Sequence, residues 1–407
     1  MSRSNRRFTL ILALAAACGL CSCRSSGPPT DAWGTEYYQE SEEVRQAISA
    51  TGEAWLPEIA DDWELPGAEA RLHEVALVLA GMPAGRTNDA FADVRRSGVW
   101  REHQRAMNQM WRDYSVRHEM PIRQWAAREM PDLARSSTLF YPFSGPDFLF
   151  AQAFFPNVDT LVLCGLESAE TLPVMNELSP REMGAGLDAL RHSVMQFSFF
   201  ITKDMRKDLQ ASRFRGVLPV LLVFMARSGW RVESADAISL AGNGTPVTAG
   251  FADGAAPGLL IRCRSPYGGL TRVFYLRQNL ADGHLKTDGA FLQFVRAAAP
   301  GVAFTKSASY LLHEDSFSTF RGYLLNECSA LVQDPSGVPY RFFEPAGWNL
   351  RLYGNYRRTL SLFGDKAQQP DLAQAFAEGR HSAQPLPFGI GYLYQPEATC
   401  LMVARRR

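Results

Sequence analysis

The chain is 407 residues long, with 42 lysines and arginines against 42 aspartates and glutamates, and its mean hydropathy is −0.16. That balance excludes nucleic acid as a main partner, since binding to phosphate backbones calls for a strongly basic face. Beyond the N-terminus no apolar run reaches the roughly 20 residues that cross a bilayer, and "VLPVLLVFMA" (217–226) reads as a buried helix or strand.

The first residues carry an address. Arg3, Arg6 and Arg7 precede an apolar run from Phe8 to Leu20, the order and polarity of an export signal over residues 1–22. Leu20-Cys21-Ser22-Cys23 resembles the lipobox of bacterial lipoproteins, which implies a lipid on Cys23 and a new N-terminus there. Cys18 follows three alanines but lacks the leucine three places upstream, and is the alternative. Arg24 after the cysteine, rather than aspartate, implies by the same resemblance an outer-membrane anchor. Loss of residues 1–22 removes three arginines and leaves 39 basic against 42 acidic groups, near −3. Residues 23–35, "CRSSGPPTDAWGT", have the serine, glycine and proline of a tether.

From 36 to 135 the chain reads as helical. "RLHEVALVLAGMP" (71–83) places Leu72, Val75, Ala76 and Leu79 at helical spacing and stops at Gly81 and Pro83. "GVWREHQRAMNQMWRDYSVRHEM" (98–120) gathers Trp100, Met107, Trp111 and Tyr114 near one face, a stripe suited to packing on the rest of the protein. Beyond 136 strands and helices alternate. "STLFYPF" and "DTLVLCGL" flank a helical stretch as in a βαβ unit. Residues 181–200 and 205–228 read as helices, followed by strands at 231–240, 258–264 and 270–280, the last two joined by the hairpin loop "SPYGG". A short helix near 288–299 precedes a second strand, polar loop, helix and strand over 302–334, an echo of 138–165 that divides the core into related halves at 136–230 and 231–407. The predicted class is α/β with a mixed sheet and βαβ-like units over 136–407, and a helical N-terminal segment.

Three polar junctions carry the candidate chemistry. Ser144-Gly145-Pro146-Asp147 reads as a capping box, with Ser144 as N-cap, Pro146 in the first turn and Asp147 at N3. The same amides would suit a bound anion, and Ser144 would suit a nucleophile, although the stretch is not G-x-S-x-G. "SYLLHEDSF" (309–317) sets His313 beside Glu314 and Asp315, an acid/base composition; its structural alternative is that Asp315 or Ser316 caps the next helix. In "QDPSGVPYRFF" (333–343), Asp334-Pro335-Ser336-Gly337 has the residues of a type I turn, with Gln333 and Arg341 flanking it as candidate ligand contacts. "RLYGNYRR" (351–358) alternates like a strand with one polar face. Apart from Cys23, the mature chain has four cysteines, Cys164, Cys263, Cys328 and Cys400; they are far apart, and three disulfide pairings are open to them. With no Cys/His cluster at ligand spacing, neither a metal nor a cofactor is expected.

The segments "YPFSGPDFLFAQAFFP", "SYLLH", "QDPSGVPYRFF" and "LYGNY" resemble motifs of a group of uncharacterised bacterial exported proteins. The resemblance covers the chain after about 136 and implies no activity, only that the three loops share one architecture. The expectation is a lipid-anchored envelope protein whose Ser144, Gly145, Asp147, His313, Gln333, Asp334 and Arg341 line a cleft for a small molecule, a glycan or an envelope protein. The alternative is a hydrolase of an envelope component using Ser144 or Asp147 with His313.

Overall fold

The computed structural model describes residues 67–85, 89–133, 136–195, 213–252, 255–287, 289–298, 301–343, 347–356, 358–359, 364–391 and 399–407. The expected export signal with Cys18, the expected tether with Cys23, and residues 36–66 of the helical segment lie outside the described residues.

The helical segment begins with α1 (Gly67–Leu79) and continues through α2 (Ala92–Arg96) and α3 (Gly98–Tyr114). One turn of π-helix, Ser115–Glu119, links α3 to α4 (Met120–Glu129). Gly81 turns the chain out of α1 with φ +65°, and a Cβ there would stand 3.0 Å from the Cα of Gln104, so the corner needs glycine. Ser97 caps α3 by accepting from the Trp100 amide at 3.2 Å. The predicted stripe is a core face: Trp100, Met107 and Tyr114 are buried and Trp111 packs against them.

The rest of the chain builds one ten-stranded mixed sheet. In chain order come β1 (Thr138–Tyr141), α5 (Phe148–Phe154), β2 (Thr160–Gly165), β3 (Ala169–Glu170), α6 (Pro180–Met195) and α7 (Leu218–Arg227). Then follow β4 (Arg231–Leu240), β5 (Pro246–Thr248), β6 (Ala255–Ala256), β7 (Gly258–Arg264), β8 (Leu270–Arg277), α8 (Asp282–Leu285), α9 (Gly289–Ala297) and β9 (Val302–Thr305). After β9 come 3₁₀ turns over Ser307–His313 and Asp315–Phe317, α10 (Ser318–Glu327), β10 (Ala330–Gln333), β11 (Trp348–Gly354), α11 (Pro370–Ala377) and β12 (Cys400–Arg406). Strands β3 and β6 form a separate pair.

The sheet runs β11-β12-β10-β9-β1-β2-β8-β7-β4-β5. Its middle five strands, from β10 to β8, are parallel, while β12 and β11 on one side and β7, β4 and β5 on the other are antiparallel. Strands buried on both faces read as continuous apolar runs, and their side chains alternate between two cores. Leu139, Tyr141, Leu161, Leu163, Val302 and Phe304 join the core beneath α1 and α3 to α7, whereas Phe140, Val162, Cys164 and Ala303 join the core beneath α8 to α11. The α/β class with a mixed sheet is therefore observed. The two proposed halves share this one sheet, and their echoing units, β1-α5-β2 and β9-α10-β10, stand side by side at its centre.

These two units wind in opposite directions. From β1 the chain moves through α5 on one face to β2, and from β9 it moves through α10 on the other face to β10. A single crossover hand in both units requires helices on opposite faces when the direction of travel reverses. The reversal falls between β1 and β9, neighbours in the sheet, and the loops leaving their carboxyl ends must part there.

Candidate functional site

The loop after β1 is fixed by its backbone. Phe143 and Gly145 both adopt left-handed φ, +58° and +53°, so Ser144 to Pro146 cannot start a helix. Asp147 is the N-cap of α5 and accepts from the Phe150 amide at 3.3 Å. The predicted frame, with Ser144 as cap and Asp147 at N3, is therefore corrected by three residues. Ser144 instead ties the loop to the end of β2: its hydroxyl accepts from the Cys164 amide at 3.1 Å and lies within donating distance of the Gly145 and Cys164 carbonyls, at 3.0 and 3.2 Å. The Gly145 amide donates to the same Cys164 carbonyl at 2.9 Å. Behind this loop stands Glu167, whose carboxylate and carbonyl both accept from the Tyr275 hydroxyl; a side chain on Gly145 would press on that carboxylate at 3.3 Å.

The carboxylate of Asp147 is itself the anion at the start of α5. It accepts from the Tyr141 hydroxyl at 2.8 Å and pairs with Lys306 Nζ at 2.9 Å, and the two charged side chains are only 2% and 3% exposed. Lys306 Nζ also lies 4.2 Å from the centre of the Phe150 ring. Lys306 is the first residue after β9, so this pair bridges the point where the loops part.

The next residue, Ser307, holds φ +61°, an uncommon conformation for a residue with a Cβ. Its amide donates to Asp334 Oδ2 at 2.9 Å, and Asp334 lies just beyond β10. Asp334 Oδ1 accepts from the Ser336 amide at 2.8 Å and from the Ser336 hydroxyl, which in turn meets Ser309 Oγ at 2.8 Å. The Gly337 amide closes the predicted turn on the Asp334 carbonyl at 3.1 Å. Burial pushes the Asp334 carboxyl above the usual range, against the pull of the Ser336 and Ser307 bonds and of Lys306. Gly391 crosses directly over it, where a Cβ would stand 2.2 Å from Asp334 Oδ2.

Gln333 is occupied in stapling the turn, giving to the Val338 carbonyl at 2.7 Å and taking from the Val338 amide at 3.0 Å. Arg341 is exposed, with its guanidinium 4.8 Å from the centre of the Phe342 ring. Arg321 stands 4.4 Å from the same ring and donates to the carbonyls of Leu312 and Glu314. The cap proposed from Asp315 or Ser316 is absent. Phe317 takes the N-cap position of α10 without a side-chain bond, and Asp282 of α8 accepts from the Ser318 hydroxyl and the Thr319 amide instead.

His313 is 3% exposed, and neither ring nitrogen has a hydrogen-bond partner. Burial lowers its pKa to about 4, against an upward push from the backbone groups of Lys366 and Gly337, which lie near the ring without meeting hydrogen-bond geometry, and Arg341 and Arg321 push it further down. The imidazole is thus neutral at physiological pH. Two further buried polar atoms close by are unpartnered, Thr305 Oγ1 and Ser307 Oγ. Thr305 Oγ1 would sit 2.6 Å from a Cβ on Gly337, so the absence of a side chain there leaves this hydroxyl room.

Of the predicted residues, the structure joins Asp147 and Asp334 through Lys306 and Ser307, and sets His313 beside the end of the same turn. It does not pair Ser144 with His313: the hydroxyl is bonded to backbone and the imidazole to nothing. Lys306, Ser307 and Thr305 are not singled out by the sequence motifs, although "KSAS" follows Thr305 at the end of β9 as "PFSG" follows β1, and that echo is the signal that marks them. The π-helical turn adds His118 from the helical segment, its ring 6.3 Å from Phe150 and its pKa lowered to about 4, chiefly by burial and further by Arg117 and Lys306. The four cysteines among the described residues, Cys164, Cys263, Cys328 and Cys400, are buried and unpaired. Among the described residues no three His, Cys, Asp or Glu side chains gather as metal ligands, and no helix is long and apolar enough to cross a membrane.

Fold and site together define an α/β protein in which the winding of the parallel strands reverses between β1 and β9, with the buried Asp147–Lys306 pair and the Ser307–Asp334 bond at the strands' carboxyl ends. No protein-family model matches the chain, and neither does any curated protein or solved structure.

Proposed function

We propose that the chain is a lipid-anchored protein of the cell envelope, held through Cys23, that binds a ligand where the loops after β1, β9 and β10 meet. Open α/β sheets place ligands outside the carboxyl ends of their strands at the point where the winding reverses. The observation that carries the reading lies at that point. Along the chain leaving β9, Thr305, Ser307 and His313 hold four buried polar atoms without partners, next to the bonded network of the Ser307 amide, Asp334, Ser336 and Ser309. A buried polar atom left unpaired costs about 1–3 kcal/mol, so such a cluster at a strand end is the mark of a site that something else completes. The commitment of Ser144 to backbone favours binding over hydrolysis by that residue.

Hydrogen exchange on the full chain tests this, using a panel of envelope chemistries: diacetylchitobiose, a muramyl peptide, glutamate and inorganic phosphate. Protection confined to residues 141–147, 305–313 and 333–338 by one of these supports the proposal. Protection only elsewhere, or by none, contradicts it.

A further inference from the structure

We infer that the ligand of this crevice is uncharged and dense in hydroxyl or amide groups, a saccharide by chemical class; this rests on the binding reading above. The one ammonium in the network and the hydrogen-bonding capacity of its carboxyl groups are already in use. Lys306 is paired with Asp147, and the Asp334 carboxylate is filled by the Ser307 and Ser336 amides and the Ser336 hydroxyl. An anion entering here meets the buried carboxyl groups of Asp147 and Asp334, and the ammonium of Lys306 is already paired with Asp147, so an anion is desolvated without a free counter-charge; a cation meets that same ammonium and finds Asp334 already accepting from three donors. Arg341, the exposed cation near His313, faces water, where its field is screened.

The unused hydrogen-bonding capacity is of a different kind. Thr305 Oγ1 and Ser307 Oγ each donate and accept, and a neutral imidazole donates through one nitrogen and accepts through the other. Phosphate or carboxylate chiefly accepts, and ammonium only donates, so each would leave part of this capacity unpaired. Hydroxyl and amide groups do both. All three side chains border one turn: Ser307 is bound to Asp334 through its amide, while Thr305 and His313 lie against Gly337. The backbone of Ser307 adds a second indication. At φ +61° glycine would be relaxed and serine is strained, so the hydroxyl is present at a conformational cost.

The test measures unfolding midpoints and binding heats of the full chain with diacetylchitobiose and maltose as neutral probes, and inorganic phosphate and putrescine as charged ones, at matched ionic strength. Two variants accompany it, Ser307→Gly, which relaxes the backbone, and Thr305→Val, which keeps side-chain volume, so that both fold. The expected result is that a saccharide raises the midpoint and that each variant weakens its binding about tenfold, the loss of one hydrogen bond. Phosphate or putrescine binding that depends on the same two residues would overturn the chemical class while leaving the crevice reading intact. Saccharide binding unchanged in both variants would overturn the site. No response to any probe up to about 50 mM, weaker than a millimolar site allows, would overturn both.

Discussion

Replacing Lys306 by methionine keeps the length of the side chain and strands the Asp147 carboxylate in the interior. The two groups are 2.9 Å apart and at most 3% exposed, so water cannot take over the role of the ammonium. Removing one partner of such a pair costs about 3–5 kcal/mol, most of it the penalty of an uncompensated buried charge. Asp147 keeps its bonds from the Tyr141 hydroxyl and the Phe150 amide, which places Lys306→Met near the lower end, about 3 kcal/mol. Adding Asp147→Asn removes the stranded charge and is expected to restore about 1–3 kcal/mol, the coupling of two residues in direct contact. Urea unfolding at neutral pH reads both values from the midpoints at constant slope. A loss below about 1 kcal/mol for Lys306→Met, the range of exposed pairs, would refute the burial on which the β1–β9 bridge rests.

Thr305→Val removes an unpartnered buried hydroxyl, so in the absence of ligand it is expected to stabilise the protein by about 1 kcal/mol in the same urea experiment; destabilisation would mean that the hydroxyl has a partner. Acid should weaken the fold through His103, His118 and His313, whose pKa values burial lowers to about 4. Unfolded imidazoles take up protons near pH 6.5 and the folded ones only near 4, so stability is full above about pH 6.5 and falls between 6.5 and 4. Asp334, with its raised pKa, opposes this slope above the ordinary carboxyl range, and His313→Gln should flatten it measurably; an unchanged slope would show His313 protonated or exposed in the folded state. Ser144→Ala should loosen the β1 loop by about 1–2 kcal/mol without changing ligand binding, and loss of a turnover with an intact fold would favour the hydrolase reading instead. Mass measurement of the mature protein should find a lipid-modified Cys23 as first residue, and a chain beginning elsewhere would remove the anchor from the proposal.

Local rules located the elements well. The β7–β8 hairpin around "SPYGG", the helix α9, and the two strand–helix–strand units each follow from turn residues and apolar runs within a short window. The sheet order was not legible, because β1 pairs with β9 from the far half of the chain and no local pattern encodes that neighbour. The start of α5 was misjudged for a definable reason. Capping rules assume a chain that enters the helix directly, and the left-handed Phe143 and Gly145 delay entry until Asp147. Lys306 escaped notice because a lysine after a strand ordinarily marks a solvated end, and only the distant Asp147 makes it a buried one. The unpartnered atoms of Thr305, Ser307 and His313 are a property of packing, which no spacing rule reports.

A crystal of the full chain soaked with diacetylchitobiose tests the central claim most directly. Saccharide density within hydrogen-bond reach of Thr305 Oγ1, Ser307 Oγ and the His313 ring, beside the Asp334–Gly337 turn, is the predicted result. Ordered water alone on those atoms, with the saccharide bound elsewhere or not at all, would contradict it.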